Sequence, residues 1–315
     1  MSGGSPERVL ITEAVHAGLE PLGRRITVDL RPELWADRPA LLSAVGDCAG
    51  LVVRNQTRVD RELLSRASRL RVVGRLGAGL DNFDLPALRE RGVTLLHGGG
   101  LNARAVAEYV IGAALDLARG LSRCDREVRA GGWSRAVGFE LRTQVLGVVG
   151  LGRVGTATAR LGRALGMRVL AHDPYVSRAP GGVHMVSLAD LLGRSRVVSV
   201  HVPLTPESRG LIGPRELAGM PRGTLLVNAA RGGVVDEDAL LQALEEGRLG
   251  GAALDVRAVE PPPRGDRFAR LDNVLLTPHL AGLSAEAQAR IARSVLADVR
   301  HVLGGHPPRG PAILP

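Results

Sequence analysis

The chain has 315 residues, of which 45% are hydrophobic and only 2% aromatic, and it can bury the cores of two domains. No stretch approaches the ~20 apolar residues of a membrane span, and two cysteines, Cys48 and Cys124, are too few for a disulfide framework. The net charge is +9 and all 41 basic residues are arginines, but they form no long basic cluster and aromatic residues are few, which argues against a nucleic-acid partner.

The first fifteen residues, MSGGSPERVLITEAV, lack the basic segment and the apolar run of a signal peptide. A low number of cysteines is typical of proteins from a reducing compartment. We therefore expect a cytoplasmic protein without a membrane partner.

Short apolar runs alternate with segments of helical pattern along the chain. The first predicted strands are 8–12, 26–30, 50–54, 71–75 and 93–97, with helices such as 60–68 and 84–91 between them. After a helix predicted over 102–121, the strands 144–150, 168–173, 197–202, 224–229, 251–256 and 273–278 follow. A last helix is predicted over 284–303, followed by an irregular Gly/Pro-rich tail. The alternation predicts an α/β protein with two domains, each a parallel sheet covered by helices.

A glycine-rich turn joins the first strand of the second series to the helix after it. Gly150, Gly152 and Gly155 have the G-x-G-x-x-G spacing, and the next strand ends in Asp173, 23 positions after Gly150. Glycines at these places permit a tight turn and close approach of a pyrophosphate to a helix N-terminus. An acidic residue at the end of the next strand accepts from the ribose hydroxyls and repels a 2′-phosphate. The arrangement predicts a binding site for NAD rather than NADP.

Polar residues follow later strands of the same series. Arg231 follows strand 224–229, Asp255 lies near the end of strand 251–256, Glu260 lies in the next loop, and His279 follows strand 273–278. Ligands of doubly wound sheets bind beyond the carboxyl ends of the strands. We therefore expect these side chains on the edge where the dinucleotide lies.

These residue types suit hydride transfer at a hydroxyl carbon. A histidine can exchange the hydroxyl proton, a carboxylate beside it orients the ring, and an arginine can hold a substrate carboxylate with two hydrogen bonds. Each residue alone has an ordinary structural explanation, as a surface charge, a loop acid or a helix-start histidine. Their joint placement beside the glycine-rich turn favours the catalytic interpretation.

With these motifs, the sequence resembles the D-isomer-specific 2-hydroxyacid dehydrogenases, in particular the 3-phosphoglycerate dehydrogenase-like branch. The segments that carry the resemblance are 74–85, 102–115, 146–174, 200–212, 225–256, 260–262 and 276–282. The resemblance implies two doubly wound domains, with a Rossmann NAD-binding domain (102–284) inserted into a flavodoxin-like substrate domain (1–101 and 285–315). It also implies a homodimer, with the helices near 102–130 at the interface. No regulatory domain follows residue 315, so we do not expect feedback inhibition by serine.

The resemblance also implies roles for individual residues. Arg231, Glu260 and His279 match the catalytic set, with glutamate and histidine as the acid/base pair and arginine on the 2-oxo acid. The residues expected to bind NAD are Gly150, Gly152, Arg153, Val154, Gly155, Asp173, His201, Pro203, Ala229, Asp255 and His279. Those expected to bind the substrate are Arg54, Arg75, Leu76, Gly77, Ala78, Gly79, Asn102 and Arg231. No metal site is expected.

The substrate is left open among small anionic 2-hydroxy or 2-oxo acids. Arg54 and Arg75 favour a second anion such as the phosphate of 3-phosphoglycerate, and glyoxylate or hydroxypyruvate is the alternative. Ala78 stands where phosphite dehydrogenases of this family have a lysine, which argues against that activity. An alternative of another class is an NAD(H)-sensing scaffold similar to the C-terminal-binding-protein corepressors.

Overall fold

The computed structural model describes residues 6–15, 18–23 and 25–315; residues 1–5, 16, 17 and 24, all within the predicted substrate domain, lie outside the described residues. The chain divides into two compact units. The first unit comprises Met1–Asn102 and Leu283–Pro315, and the second comprises Ala103–Gly282.

Strands and helices are numbered in chain order. The strands are β1 (Glu7–Ile11), β2 (Ile26–Leu30), β3 (Gly50–Val53), β4 (Val72–Arg75), β5 (Thr94–His97), β6 (Val145–Val149), β7 (Arg168–His172), β8 (Val183–Met185), β9 (Val197–Val200), β10 (Thr224–Asn228), β11 (Leu249–Leu254), β12 (Val274–Leu276) and β13 (Ala312–Ile313). The α-helices are α1 (Arg38–Ala44), α2 (Arg61–Arg66), α3 (Leu85–Glu90), α4 (Ala103–Arg119), α5 (Leu121–Arg129), α6 (Arg153–Ala164), α7 (Leu188–Arg194), α8 (Pro214–Gly219), α9 (Glu237–Glu245) and α10 (Ala285–Leu303).

The sheet of the first unit has the strand order β13-β5-β4-β3-β1-β2. Its pairs are parallel except that β13 runs antiparallel to β5. The order 2-1-3-4-5 of the parallel strands is that of flavodoxin-like folds. Helix α10 belongs to this unit, and its buried face, with Ile291, Val295 and Val299, packs on one side of the sheet, while α1, α2 and α3 cover the other side.

The sheet of the second unit is parallel throughout, with the order β12-β11-β10-β9-β6-β7-β8. Leucines of α7, α8 and α9 cover one face, and alanines of α4 and α6 cover the other. The strand order reverses between β6 and β9, which is the point where Rossmann folds bind dinucleotides. The predicted α/β class with doubly wound sheets is therefore confirmed.

Two predicted segments differ from the structure, and one strand was not predicted. The helix predicted over 102–121 ends at Arg119, because Gly120 adopts a left-handed φ of 63° and α5 begins after it. Strand β8 was not predicted, since three residues are too few for a periodic pattern. The tail predicted as irregular contains β13, whose two residues pair with Leu95 and Leu96 of β5. No helix among the described residues is long and apolar enough to cross a membrane.

Candidate active site

The turn after β6 leaves space for a pyrophosphate. Gly150 adopts a φ of 92°, which few residues other than glycine tolerate. A Cβ on Gly155 would lie 1.9 Å from the carbonyl oxygen of Gly150, so only glycine lets α6 begin this close to the strand. A Cβ on Gly152 would meet no atom within 4 Å, so the space beside the N-terminus of α6 is open. The open space, the N–H groups and the positive end of the helix dipole together fit a dinucleotide pyrophosphate.

Asp173 is tied to this turn by its carboxylate. Its Oδ2 accepts a hydrogen bond from the N–H of Leu151 at 2.8 Å, and its Oδ1 accepts from the N–H of Tyr175 at 2.9 Å. Each oxygen keeps a further lone pair that can accept from a ribose hydroxyl. The negative charge at this position disfavours a 2′-phosphate.

His201 follows β9 and lies against the glycine-rich turn. Its carbonyl carbon would be 3.0 Å from a Cβ on Gly150, and its Nε2 lies 2.7 Å from Oγ of Ser199. Burial lowers the pKa of His201 to about 3. The ring is therefore neutral at neutral pH and adds no positive charge to the turn.

The other residues predicted to bind the cofactor lie on the same side of the second unit. Arg153 and Val154 are the first two residues of α6, and Ala229 directly follows β10. Val154 and Ala229 both pack against one buried cluster of the sheet. The carbonyl of Pro203, three residues after β9, accepts from Oγ of Ser208 at 2.6 Å.

The structure brings Glu260 and His279 into direct contact. Nδ1 of His279 lies 2.7 Å from Oε2 of Glu260, and Oε1 of Glu260 accepts from the N–H of Arg257 at 3.0 Å. Burial acts to raise the pKa of Glu260, but the hydrogen bonds from His279 and Arg257 and the charge of Arg231 outweigh it and hold that pKa below its usual range. Glu260 is therefore an ionised acceptor at neutral pH. His279 has a φ of 54°, which lies in the left-handed region. Among the described residues, no other non-glycine residue has a positive φ of this kind.

Arg231 lies on a turn that Asn228 shapes. The side chain of Asn228, 1% exposed at the end of β10, donates to the carbonyl of Arg231 at 3.0 Å and accepts from the N–H of Ala230 at 3.1 Å. The Arg231 guanidinium donates from Nη1 to the carbonyl of Ala230 at 2.7 Å. Asn228 was not predicted as a site residue, although a polar residue inside the apolar run TLLVNAA was a visible signal.

Asp255 organises the segment that carries His279. Its Oδ1 accepts from Oγ1 of Thr277 at 2.6 Å and from the N–H of Leu280 at 2.8 Å, and its Oδ2 accepts from the N–H of Ala281 at 2.9 Å. Since the hydroxyl proton of Thr277 goes to Asp255, the hydroxyl of Tyr109 donates in its 2.7 Å contact with Thr277. Burial raises the pKa of Tyr109 to about 12, so it stays protonated and able to donate. Oδ2 of Asp255 keeps one lone pair that can accept a further hydrogen bond.

In the first unit, the buried Glu13 shapes the loop that carries Arg54. Its carboxylate accepts from the N–H groups of Arg54 at 2.7 Å, Thr57 at 3.0 Å and Gln56 at 3.1 Å. Arg54 donates from Nη1 to the carbonyl of Ala14 at 3.3 Å, and burial lowers the pKa of its guanidinium. Glu13 was not predicted, because its partners lie about 40 residues further along the chain.

Arg75 supports the neighbouring loop, 76–79. Its side chain is buried and donates from Nε to the carbonyl of Gly79 at 3.1 Å. The N–H of Leu76 donates to the carbonyl of Val53, and the N–H of Gly77 donates to the carbonyl of Arg75. These two N–H groups of the loop therefore already have partners within this unit. The N–H groups of Ala78 and Gly79 are the better candidates for a substrate carboxylate. Asn102, partly exposed, ends the first segment of this unit.

Comparison with known proteins places the chain in a family. Residues 111–281 match the family model described as D-isomer specific 2-hydroxyacid dehydrogenase, NAD binding domain. The chain belongs to the D-isomer specific 2-hydroxyacid dehydrogenases. The matched residues lie within the second unit, and the predictions of NAD and of a Rossmann domain are confirmed.

Several known proteins are similar to the chain over nearly all of its length. A D-3-phosphoglycerate dehydrogenase of Archaeoglobus fulgidus is 39% identical over 98% of this chain, which spans 59% of that protein. An (S)-sulfolactate dehydrogenase of Chromohalobacter salexigens is 42% identical over 94% of this chain and 98% of its own length. The crystal structure of the TT0316 protein from Thermus thermophilus has a TM-score of 0.91 at 36% identity and covers 96% of this chain and 99% of its own.

Proposed function

We propose that the chain is an NAD-dependent D-2-hydroxyacid dehydrogenase, equally a 2-oxoacid reductase. The observation that carries the proposal is the 2.7 Å contact between His279 and Glu260 in the family's NAD-binding domain. The positive charge of Arg231 also lowers the pKa of Glu260, so the charges of the three residues are coupled.

The contact with Glu260 determines which ring nitrogen of His279 can exchange a proton with the substrate. An ionised carboxylate only accepts hydrogen bonds, so Nδ1 of His279 carries the proton that faces Glu260. Nε2 is left to take the proton of the substrate hydroxyl during oxidation and to return it to the 2-oxo oxygen during reduction. The carboxylate of Glu260 stabilises the imidazolium that forms.

Arg231 binds the substrate's 2-oxo acid group. Its guanidinium can donate to the carboxylate and to the adjacent carbonyl oxygen, which polarises the carbon that exchanges the hydride. Bound NAD would supply the hydride acceptor for C2 of the hydroxy acid, and bound NADH the hydride donor for the 2-oxo acid. His279 takes the hydroxyl proton in oxidation and returns it in reduction.

The open turn after β6 indicates which residues would hold NAD. Gly150, Gly152 and Gly155, with the first residues of α6, Arg153 and Val154, would contact the pyrophosphate, and Asp173 would accept from the ribose hydroxyls. His201, Pro203 and Ala229 would line the strand ends, and the remaining lone pair on Oδ2 of Asp255 would accept from the carboxamide.

We assign the substrate's distal group to the first unit, and we expect it to be a second anion. Support comes from Arg54, a half-buried loop cation, and from Arg75, whose guanidinium lies beside the neighbouring loop. Asn102 would contribute a polar contact. The two relatives described above are named for phosphoglycerate and sulfolactate, and both of these acids carry a second anionic group. Glyoxylate or hydroxypyruvate is the alternative substrate.

We further propose a cytoplasmic homodimer. Support for the dimer is a set of apolar side chains in and after α5 that are exposed in this chain: Leu121, Val128, Trp133 and Val137. Support for the location is that Cys48 and Cys124 are both free thiols.

The proposal is tested by turnover with NADH and a panel of 2-oxo acids: phosphohydroxypyruvate, sulfopyruvate, hydroxypyruvate, glyoxylate and pyruvate. We expect NADH oxidation with at least one of them, fastest with an acid that carries a second anion, and a loss of more than about 100-fold in His279→Gln. Folded protein that binds NADH but reduces none of them would contradict the proposal and favour an NAD(H)-responsive scaffold.

A further inference from the structure

A largely buried ion cluster lies next to the loop that carries Glu260. We name it the Arg257 cluster; it consists of Arg257, Glu237, Asp266 and Phe268. The Arg257 guanidinium donates to both oxygens of Asp266 and, at 3.0 Å, to Oε2 of Glu237, and it lies 4.7 Å above the ring of Phe268. Its side chain is only 11% exposed.

The cluster fixes the backbone that contacts Glu260. Glu237, whose Oε2 binds the guanidinium, accepts with its Oε1 from the N–H of Ala258 at 2.6 Å. The N–H of Arg257 itself donates to Oε1 of Glu260 at 3.0 Å. The side chain of Arg257 thus anchors the residue whose own N–H, in the peptide between residues 256 and 257, holds one oxygen of Glu260, while the other oxygen contacts His279.

The next peptide, between residues 257 and 258, packs against the turn of Arg231. A Cβ on Gly232 would lie 1.9 Å from the carbonyl carbon of Arg257 and 2.2 Å from the nitrogen of Ala258. Glycine is therefore required for this approach. The peptide between residues 257 and 258 lies between the segments that carry two catalytic side chains, and a shift of it would disturb both.

Stability alone does not account for the cluster. Burial disfavours the charge of Arg257, yet the hydrogen bonds to Asp266 and Glu237 raise its pKa, and Arg257 in turn holds the pKa of Asp266 below its usual value. Apolar residues of similar volume often replace such buried ion pairs without loss of stability. The Nε of Arg257 is also buried without a hydrogen-bond partner, which costs about 1–3 kcal/mol. A function in placing the loop explains why the cluster is charged.

We propose that Arg257 is a positioning residue for the Glu260–His279 pair: its guanidinium, held by Glu237 and Asp266, fixes the N–H that binds Glu260. This inference rests on the proposed dehydrogenase function. It adds a residue outside the catalytic set, acting through Glu260 and without contact to the substrate.

Two variants test the inference. Arg257→Lys keeps the charge but cannot bind two carboxylates as a planar fork. The triple variant Arg257→Met, Glu237→Gln, Asp266→Asn removes every charge of the cluster, so that no buried carboxylate is left unpaired. The matched control is Arg267→Lys, because Arg267 is 62% exposed and pairs at 3.4 Å with Asp238 on the same helix as Glu237.

In both variants we expect kcat for the reduction of the best 2-oxo acid to fall on the order of tenfold, with the KM for NADH within about twofold of wild type. Without the firmly placed N–H of Arg257, the pKa of Glu260 should rise. The acidic limb of the pH profile of kcat should therefore move to higher pH. A ¹³C titration of the Glu260 carboxyl, assigned by comparison with Glu260→Gln, measures the same shift without turnover. The control should match wild type.

A wild-type kcat together with a wild-type titration of Glu260 in either folded variant would overturn the proposal that Arg257 positions Glu260. If the triple variant fails to fold, Arg257→Lys decides by the same two measurements. If the wild-type chain reduces no 2-oxo acid, the proposed function fails, whereas an upward shift of the Glu260 titration in Arg257→Lys would still support the positioning of the carboxylate.

Discussion

The carbonyl oxygen of Asp255 accepts the backbone N–H of His279 at 2.8 Å, while the carboxylate of Asp255 accepts the N–H groups of Leu280 and Ala281. One buried aspartate therefore holds the segment in which His279 adopts its left-handed φ. The position of His279, the proposed acid/base residue, thus depends on hydrogen bonds to the residue that directly follows β11.

Asp255→Asn should weaken both stability and catalysis. The asparagine amide has one acceptor oxygen for the three donors that the carboxylate now binds, those of Thr277, Leu280 and Ala281. At least one of these donors therefore loses its partner, at a cost of about 1–3 kcal/mol in stability. We expect a lower free energy of unfolding in urea and a lower kcat. The control is Asp272→Asn, whose side chain is 86% exposed. Wild-type values for both quantities in Asp255→Asn would contradict the assigned contacts.

Asp173 should determine the preference for NAD. Asp173→Ala removes both the charge and the acceptor for Leu151, whereas Asp173→Asn removes the charge and keeps an acceptor oxygen for that N–H. We expect the ratio of kcat/KM for NADH over NADPH to fall about tenfold or more in both, equivalent to ~1.4 kcal/mol. An unchanged ratio in Asp173→Asn would show that the charge does not select the cofactor.

Arg54 should distinguish substrates with a second anion from those without one. We expect Arg54→Ala to raise the KM for phosphohydroxypyruvate about tenfold, through loss of a charge-assisted hydrogen bond, and to leave the KM for glyoxylate nearly unchanged. Arg58→Ala is the control, because Arg58 is 79% exposed and pairs with Asp60 at 3.5 Å. An equal effect on both substrates, or none on phosphohydroxypyruvate, would remove the second-anion assignment.

Asp266 should make stability depend on acidic pH. Its pKa in the folded chain is lowered from 3.8, chiefly by the hydrogen bond from Arg257. A carboxyl whose pKa is depressed on folding stabilises the chain above its unfolded pKa and loses that contribution as the pH falls through the folded value. The difference in unfolding free energy between pH 6 and pH 3 should therefore be smaller in Asp266→Asn than in wild type. An equal difference would exclude Asp266 as a contributor.

Local sequence pattern was sufficient to predict the glycine-rich turn and the NAD-binding domain that contains it, but not the contacts that position the candidate side chains. The turn at Gly150 and the acid at Asp173 lie within one strand–helix–strand unit, so their spacing alone indicates their role. Tyr109 and Thr277 are 168 residues apart, and Arg257 meets Glu237 only through packing of α9 against the following loop. No local pattern encodes such contacts. The two-residue β13 is likewise formed only because β5 offers it an edge.

The residues proposed for acid/base chemistry and for cofactor binding all belong to one unit, Ala103–Gly282, while those proposed for the substrate's distal group belong to the other. On this proposal, substrate preference and reaction chemistry are encoded in different segments of the chain. Substitutions in the loops around Arg54 and Arg75 would then change the preferred acid and leave the contacts of His279 within Ala103–Gly282 as they are.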